Sequence, residues 1–320
     1  MSRILNRIEQ TINKAFIPSG KGMNDLMETV PKSRISIPVS RSLAENAKFP
    51  AGRVIAVNTD KPIKVIGCYS LRRNLKNMDG KATSGIDVYK KTDGKFTFVD
   101  TLYPSKDNRM HFSSTISEYG ELHFLLPSYA SLSHLYISDG EVITPQQGKK
   151  IVCYGSSITQ GCAASRPGLN YVNLLYLEGY NTVNYGFSES AKGEPEVIRE
   201  IASEHANVYV MEYDHNATVE ELQKTHENTY HILRSENPDS IILYLSRISG
   251  GISVSKEEAE ERIKIINATV EKAIKNGDKN VFFLSGNIDD PSPLLKDDKH
   301  PNNIGMELFK RRILEYIQNN

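Results

Sequence analysis

A serine pair near the middle of the chain and an Asp–His pair near its end could together perform nucleophilic catalysis. Ser156 and Ser157 follow the apolar run 151–153, and Asp297 lies three residues before His300. A serine hydroxyl is a weak nucleophile at neutral pH, so it needs an imidazole to take its proton and a carboxylate to orient that imidazole. The order Ser, Asp, His, with the last two close enough for one turn to hold both, predicts a serine hydrolase.

The serine loop alone is also compatible with phosphate binding. Hydroxyl groups that follow the first strand of an α/β unit can bind phosphate without covalent chemistry, as in flavodoxins. The Asp297–His300 pair favours the hydrolase, because a phosphate-binding loop has no need for it. Pro301 disfavours helical geometry at His300 and so keeps it on a loop. The three-residue offset favours Asp297 over Asp298 as the orienting carboxylate.

Composition excludes several classes of partner. The 320 residues include 39 Lys and Arg against 39 Asp and Glu, which removes the electrostatic argument for nucleic acid. Cys68, Cys153 and Cys162 show neither disulfide-scaffold pairing nor the close spacing of a zinc site, so a reducing compartment is expected. With no signal-peptide pattern and no apolar run near the ~20 residues of a membrane span, we expect a cytoplasmic protein without stable membrane insertion.

The N-terminal residues 1–32 form the first predicted unit. Apolar residues recur at helical spacing over 1–16, which predicts an amphipathic helix, and Pro and Gly residues mark 17–32 as a linker. The helix is expected to dock on a domain or on a second subunit, which would make a homo-oligomer. Attachment to a membrane surface is the alternative.

Residues 33–147 carry short β-like runs bounded by turn residues. Such runs without intervening helices predict an antiparallel β-sandwich, of the jelly-roll kind. Asp93-Gly94 between two of the runs predicts a hairpin. The predicted strands are residues 53–58, 63–69, 86–90, 96–102, 122–126 and 135–138.

Residues 148–320 alternate strand-like and helix-like patterns. The alternation predicts an α/β domain with a five-stranded parallel sheet covered by helices on both faces, where ligands bind at the carboxyl ends of the strands. Thr218 with Glu221, and Ser255 with Glu258, predict helix-capping boxes. The predicted strands are residues 150–154, 182–185, 208–213, 241–245 and 281–284.

Four short segments of this α/β half resemble the sequence blocks of GDSL-type, or SGNH, hydrolases. Residues 155–161, Gly-Ser-Ser-Ile-Thr-Gln-Gly, resemble the first block, with serine at 156 where many members carry aspartate. Residues 184–188 resemble the second block and 213–216 the third, and the Asp-x-x-His of 297–300 fits the last. The β-rich segment before them resembles the N-terminal sandwich of a subgroup that includes carbohydrate esterases.

The resemblance implies a three-layer, flavodoxin-like domain and assigns roles. Ser157 is implied as the nucleophile, His300 as its base, Asp297 as the orienting carboxylate and Asn216 as an oxyanion donor. The implied reaction removes an O-acyl group, acetyl being favoured, from a carbohydrate or a related small substrate, with no metal or organic cofactor. An acyltransferase would share the first half of this reaction, and a glycan-binding protein with a relic triad is the non-enzyme alternative.

One position departs from the family pattern. After Phe187-Ser188 the family carries a glycine whose N–H helps to bind the oxyanion, and this chain has Glu189. Its side chain could point to solvent, could bind substrate, or could weaken catalysis by opposing the oxyanion, and a glycine position can demand a positive φ. Glu189, Ser188 and Arg166, which lies on the loop after the nucleophile, are the expected substrate contacts.

Overall fold

The computed structural model describes the chain in seven stretches. Residues 1–16, expected to form a helix, lie outside them, and so do 146–147, where the predicted boundary between the two domains falls; both expectations stay predictions. The described residues are 23–104, 109–145, 148–214, 216–248, 255–286, 288 and 290–319.

The N-terminal part is an antiparallel β-sandwich, as predicted. One sheet has the order β1-β8-β3-β6 and the other β5-β4-β7-β2-β9, and apolar residues such as Val65, Phe124 and Leu135 fill the space between them. The strands are β1 Asn24–Asp25, β2 Val54–Thr59, β3 Ile63–Arg72, β4 Ile86–Thr92, β5 Lys95–Leu102, β6 His111–Ile116, β7 Gly120–Leu125, β8 Ala130–Ile137 and β9 Glu141–Ile143.

Local turn chemistry explains one prediction in this region, whereas several short elements were not predicted, namely β1, β6, β9 and the helices Arg41–Ala47 and Gly80–Ser84. Asp93 and Gly94 join β4 to β5 with φ of 51° and 76°, the left-handed values that a two-residue hairpin requires. Strand β6 was not predicted because only Phe112 and Ile116 in it are buried and apolar. Helix α1, Arg41–Ala47, was not predicted either, because seven residues are too few for a clear helical period.

The C-terminal part is the predicted five-stranded parallel sheet. Its strands have the order β11-β10-β12-β13-β14, which is the 2-1-3-4-5 order of flavodoxin-like folds. The strands are β10 Lys150–Gly155, β11 Asn181–Gly186, β12 Val208–Glu212, β13 Ile241–Leu245 and β14 Val281–Leu284. The helices after α1 are α2 Gly80–Ser84, α3 Ser157–Gln160, α4 Tyr171–Leu177, α5 Pro195–Ala202, α6 Val219–Glu236, α7 Lys256–Lys275 and α8 Asn303–Asn319; 3-10 turns span Leu26–Thr29, Pro167–Leu169 and Ser292–Leu294.

Helices cover both faces of this sheet and complete three layers. Ile151 and Cys153 of β10 face α4 and α8, whereas Val152 and Tyr154 face α5, α6 and α7. Both faces are therefore apolar, which is why the strands read as continuous hydrophobic runs. Thr218 and Glu221 form the predicted capping box at α6. At α7 only half of the predicted box is present, since the Ser255 side chain accepts the Glu258 N–H. No described helix is long and apolar enough to cross a membrane.

A segment ahead of β2 packs with the parallel sheet instead of the sandwich. The buried Arg34 guanidinium donates to the Asn184 carbonyl at 2.9 Å and lies 4.7 Å from the centroid of the Phe187 ring. Burial, with the positive charge of Arg53, lowers the pKa of Arg34 to about 9. Leu43 of α1 joins the same apolar core. This packing carries α1 to the carboxyl ends of β10 and β11.

A buried ion pair joins the sandwich to the parallel-sheet part. Arg166 Nη1 donates to Asp87 Oδ2 at 2.5 Å and to the Tyr89 hydroxyl at 2.7 Å, and its guanidinium lies 4.0 Å from the centroid of the Phe98 ring. Asp87 is fully buried and also accepts from the Gly168 N–H at 2.8 Å. The interface thus holds a buried carboxylate that depends on a cation from the other part.

Arg166→Met should destabilise the protein by about 3 kcal/mol, because it leaves the Asp87 carboxylate buried without its cation. Chemical denaturation measures the free energy of unfolding. Arg41→Met is the matched control, since the Arg41 side chain is 93% exposed, and its expected effect is below about 0.5 kcal/mol. The double variant Asp87→Asn/Arg166→Met should recover part of the loss. An Arg166→Met protein as stable as the control would contradict this account.

Candidate active site

Tight contact between β10 and β12 sets the position of the serine loop. β10 ends at Gly155, where an added Cβ would lie 2.3 Å from the Glu212 carbonyl oxygen, so the position requires glycine. Ser156 then caps α3 by accepting the Ile158 N–H at 3.1 Å. Ser157 is the first residue of that helix. It therefore stands at the carboxyl edge of the sheet, where ligands bind in such folds.

The structure brings the Ser157, His300 and Asp297 side chains into one hydrogen-bonded chain. Ser157 Oγ lies 2.9 Å from His300 Nε2. His300 Nδ1 lies 2.9 Å from Asp297 Oδ2 and 3.0 Å from Oδ1. Asp298 is exposed, and it is Asp297 that contacts this histidine. The spacing lets the imidazole take a proton from the serine while the carboxylate holds the tautomer that leaves Nε2 free.

Backbone contacts hold the Asp297–His300 turn. Asp297 Oδ1 accepts the N–H of His300 at 2.8 Å and that of Lys299 at 3.0 Å. Burial alone would raise the pKa of Asp297, but these hydrogen bonds and the imidazole lower it to about 2, so the group is a carboxylate at neutral pH. After Pro301, Asn302 accepts the Ile304 N–H at 2.9 Å at the start of α8, which ends the loop.

Three residues at the cavity offer hydrogen-bond donors near the serine. The N–H groups of Ser157 and Glu189 have no acceptor among the described residues, and Asn216 Nδ2 donates one hydrogen to the Phe187 carbonyl at 3.0 Å. That bond fixes the amide and leaves its second hydrogen available. All three residues line the same cavity. Donors in this arrangement can stabilise a developing oxyanion.

Glu189 occupies the backbone conformation that a glycine would favour. Its φ is +59°, a left-handed value, and its side chain is exposed at the cavity. The preceding Ser188 also lines the cavity, but its hydroxyl bonds the Tyr129 hydroxyl at 2.7 Å and its N–H donates to Gln160 Oε1 at 2.8 Å. Ser188 therefore contributes to the wall with its hydroxyl already engaged.

The serine lies in a cavity of about 440 Å³ whose walls come from both parts of the chain. Arg166 does not line it, because its guanidinium is held by Asp87 on the sandwich. The lining residues of the parallel-sheet part are Ser156, Ser157, Ile158, Cys162, Ser188, Glu189, Asn216, Arg247, Lys299 and His300. The part before residue 148 contributes Ser42, Asn46, Arg73, Leu75, Asn77 and Tyr129.

Two polar residues near the serine were missed in the sequence. Glu212 is fully buried beneath the loop and accepts from the hydroxyls of Ser156 at 2.9 Å and Thr159 at 2.8 Å. Its position at the carboxyl end of a predicted strand could have indicated that it lies near the site. Asn77 donates to Asp297 Oδ2 at 2.8 Å from a sandwich loop, and no local pattern points to it.

Burial raises the pKa of Glu212 to about 8; the nearby Asp214 charge adds to this, and the hydrogen bonds from Thr159 and Ser156 oppose it. The native state thus holds a proton that the unfolded state loses above pH 4.5. The free energy of unfolding must then fall as pH rises from about 4.5 to about 8.

Glu212→Gln should remove this pH dependence. The variant loses hydrogen bonds and is less stable than the wild type at pH 5, and the difference should shrink steadily towards pH 8.5 because only the wild type titrates. Denaturation across that range measures it. Glu220→Gln, an exposed change on α6, is the control and should give a constant difference. A constant difference for Glu212→Gln as well would mean that Glu212 is ionised throughout.

Two family models match the chain. The model of the GDSL-like Lipase/Acylhydrolase family matches residues 148–318, and a model described as the N-terminus of SGNH-hydrolase-type esterases matches residues 12–141. No curated protein matches the sequence.

Several solved structures are similar over most of the chain. A protein from Bacteroides ovatus ATCC 8483, described as a GDSL-like lipase, is 28% identical with a TM-score of 0.73, covering 89% of each chain. The salicylyl-acyltransferase SsfX3 of a tetracycline biosynthetic pathway is 15% identical with a TM-score of 0.69, covering 94% of this chain and 96% of its own. A family two carbohydrate esterase from Clostridium thermocellum, in complex with cellohexaose, is 15% identical with a TM-score of 0.57, covering 83% and 91%.

The last two structures are only 15% identical to this chain, so their similarity concerns the fold alone. The first family model decides the classification, because it matches more than half of the chain. The chain belongs to the GDSL-like lipase/acylhydrolase family, a family of carboxylic ester hydrolases.

Proposed function

We propose that this protein is a serine esterase that removes a short O-acyl group, acetyl being favoured, from a hydroxyl-rich substrate such as a carbohydrate. The observation that carries the proposal is the contact of 2.9 Å between Ser157 Oγ and His300 Nε2, with Asp297 on the far side of the imidazole. Nucleophile, base and orienting carboxylate thus stand in the order that acyl transfer requires.

The proposed reaction has two halves. Ser157 Oγ attacks the acyl carbonyl while His300 Nε2 takes its proton, and the N–H groups of Ser157 and Glu189 with the Asn216 amide hold the oxyanion. The tetrahedral intermediate then collapses, and the imidazolium returns the proton to the leaving alcohol oxygen. In the second half water attacks the acyl-serine carbonyl while His300 takes a proton from that water. The bond between the acyl carbon and Ser157 Oγ then breaks, the imidazolium returns the proton to Oγ, and the carboxylic acid is released.

The cavity walls support a small acyl group on a polar alcohol. Among the described residues that line the cavity, most side chains carry hydroxyls, amides or charges, and the apolar groups are Leu75, Ile158, the Cys162 thiol and the Tyr129 ring. A long acyl chain would need an extended apolar surface, because each buried CH₂ contributes about 0.8 kcal/mol to binding. Hydroxyl-rich sugars match the polar remainder. The carbohydrate esterase with a similar fold agrees with this choice of substrate class.

An acyltransferase is the second candidate. It would use the same first half and pass the acyl group from Ser157 to a substrate hydroxyl in place of water. The similarity in fold to the salicylyl-acyltransferase, over 94% of this chain, favours testing it. Product analysis with and without an added sugar acceptor separates the two reactions. A non-catalytic glycan-binding protein would instead bind its ligand equally well with and without the Ser157 hydroxyl.

Ser157→Ala should lower the kcat/KM for p-nitrophenyl acetate by on the order of a thousandfold or more, because the nucleophile is lost. Release of p-nitrophenol measures the rate. Ser203→Ala is the matched control, since Ser203 is exposed at the end of α5, and its rate should equal that of the wild type. Equal rates in wild type and Ser157→Ala would contradict the serine mechanism and favour the binding protein.

Substitution of Glu189 should separate the charge from the backbone conformation. Glu189→Gln removes the carboxylate beside the oxyanion, and because the group is exposed and screened we expect turnover to rise only about two- to fivefold. Glu189→Gly should raise turnover equally and also raise the thermal midpoint, since glycine adopts a φ of +59° without strain. Steady-state kinetics and thermal denaturation measure the two effects. Unchanged or lower turnover in both variants would show that the carboxylate does not oppose the oxyanion.

A further inference from the structure

We propose that Asn77, on a loop of the N-terminal sandwich, is a positioning residue for the Asp297 carboxylate and through it for His300. Its side-chain amide Nδ2 donates to Asp297 Oδ2 at 2.8 Å, although the two residues lie 220 positions apart in the sequence. The same atom lies 3.4 Å from Cys162 Sγ and 3.5 Å from His300 Nδ1. This inference rests on the proposed function, because it concerns the orientation of the base that activates Ser157.

The loop that carries Asn77 is itself held in place. It joins β3 to α2, and the Met78 N–H donates to the Leu75 carbonyl at 3.2 Å across an isolated bridge. Asp79 then caps α2 by accepting the Ala82 N–H at 2.8 Å. The bridge and the helix cap therefore hold the backbone on both sides of Asn77. Its half-buried side chain contacts the Asp297–His300 turn.

The contacts determine which way the amide faces. An Asn side chain has two N–H donors on one atom and an acceptor on the other, and a carboxylate accepts only. The nitrogen must therefore face Asp297, because the reversed amide would set two acceptors against each other. The two hydrogens can serve Asp297 Oδ2 and Cys162 Sγ. His300 Nδ1 keeps its own proton, which it donates to Asp297.

The role follows from how the carboxylate is shared. Oδ1 of Asp297 already receives the N–H groups of Lys299 and His300, so the turn itself orients that oxygen. Oδ2 receives the imidazole and Asn77. The Asp297 side chain is 33% exposed, so without Asn77 water would compete for Oδ2 and the carboxylate would rotate more freely. Asn77 supplies a second donor to Oδ2, and this donor restricts the rotation.

The test compares Asn77→Ala, Asn77→Leu and the control Asn74→Ala, an exposed asparagine on the same loop. Leucine has the same number of side-chain heavy atoms as asparagine and also branches at Cγ, so it fills the site, but it has no donor. We expect kcat for p-nitrophenyl acetate to fall about tenfold in both Asn77 variants, the size of a lost hydrogen bond to a charged group. KM should change less than about twofold. The thermal midpoint should fall modestly in both Asn77 variants, because both lose the same hydrogen bond, and Asn74→Ala should match the wild type in kcat, KM and thermal midpoint.

The outcomes are distinct. A space-filling role predicts that Asn77→Leu keeps full kcat while Asn77→Ala loses it, and this would overturn the proposal. A change confined to KM would also overturn the proposal. The same holds if both Asn77 variants keep the wild-type kcat while Ser157→Ala is inactive. If Ser157→Ala keeps its activity, the proposed function itself fails. A fall in kcat in both Asn77 variants, with KM unchanged, both variants folded at the assay temperature and Ser157→Ala inactive, supports the positioning role.

Discussion

The position of Ser157 depends on the buried carboxyl group beneath it. Glu212 stands at the end of β12 and receives the hydroxyls of Ser156 and Thr159, the residues on either side of the short turn that presents the serine. A carboxyl group cut off from water must be fully hydrogen-bonded to be tolerated. Gly155, which precedes the serine loop, pairs with Glu212 in the sheet. The register of β10 and β12 therefore fixes where the loop begins relative to the Glu212 carboxyl group.

The same edge of the sheet is closed by chain that precedes it in the sequence. Arg34 and α1 pack on the parallel sheet, and Asn46 donates to the Ser188 carbonyl at 2.9 Å, while Tyr129 of the sandwich bonds the Ser188 hydroxyl. These contacts join the turn after β11 to segments more than fifty residues away. The cavity is therefore a property of the whole chain, and neither part alone contains its walls.

The sequence predicted those features whose signal is local. Apolar runs bounded by turn residues predicted the sandwich, and continuous apolar runs predicted the parallel sheet. The blocks around Ser157 and His300 predicted which residues meet at the edge of the parallel sheet. Arg166 was expected to contact substrate, because it lies on the loop after the serine. That position does not reveal its actual partner, Asp87, which lies 79 residues away. Asn77 had no signal at all, because its neighbours show no period and its contacts form only when the two parts pack.

The proposed catalytic residues all lie after residue 148, whereas the cavity walls come from both sides of that position, and this separates the reaction from the choice of substrate. Residues 148–318, matched by the family model, include the serine, the histidine and both acidic groups near them. Much of the lining, including Arg73 and Leu75, lies before residue 148. Proteins that share only the C-terminal match with this chain can thus share its reaction while having evolved a different choice of substrate. In such proteins the type of bond that is cleaved follows from the C-terminal match, whereas the substrate is selected by the walls that precede it.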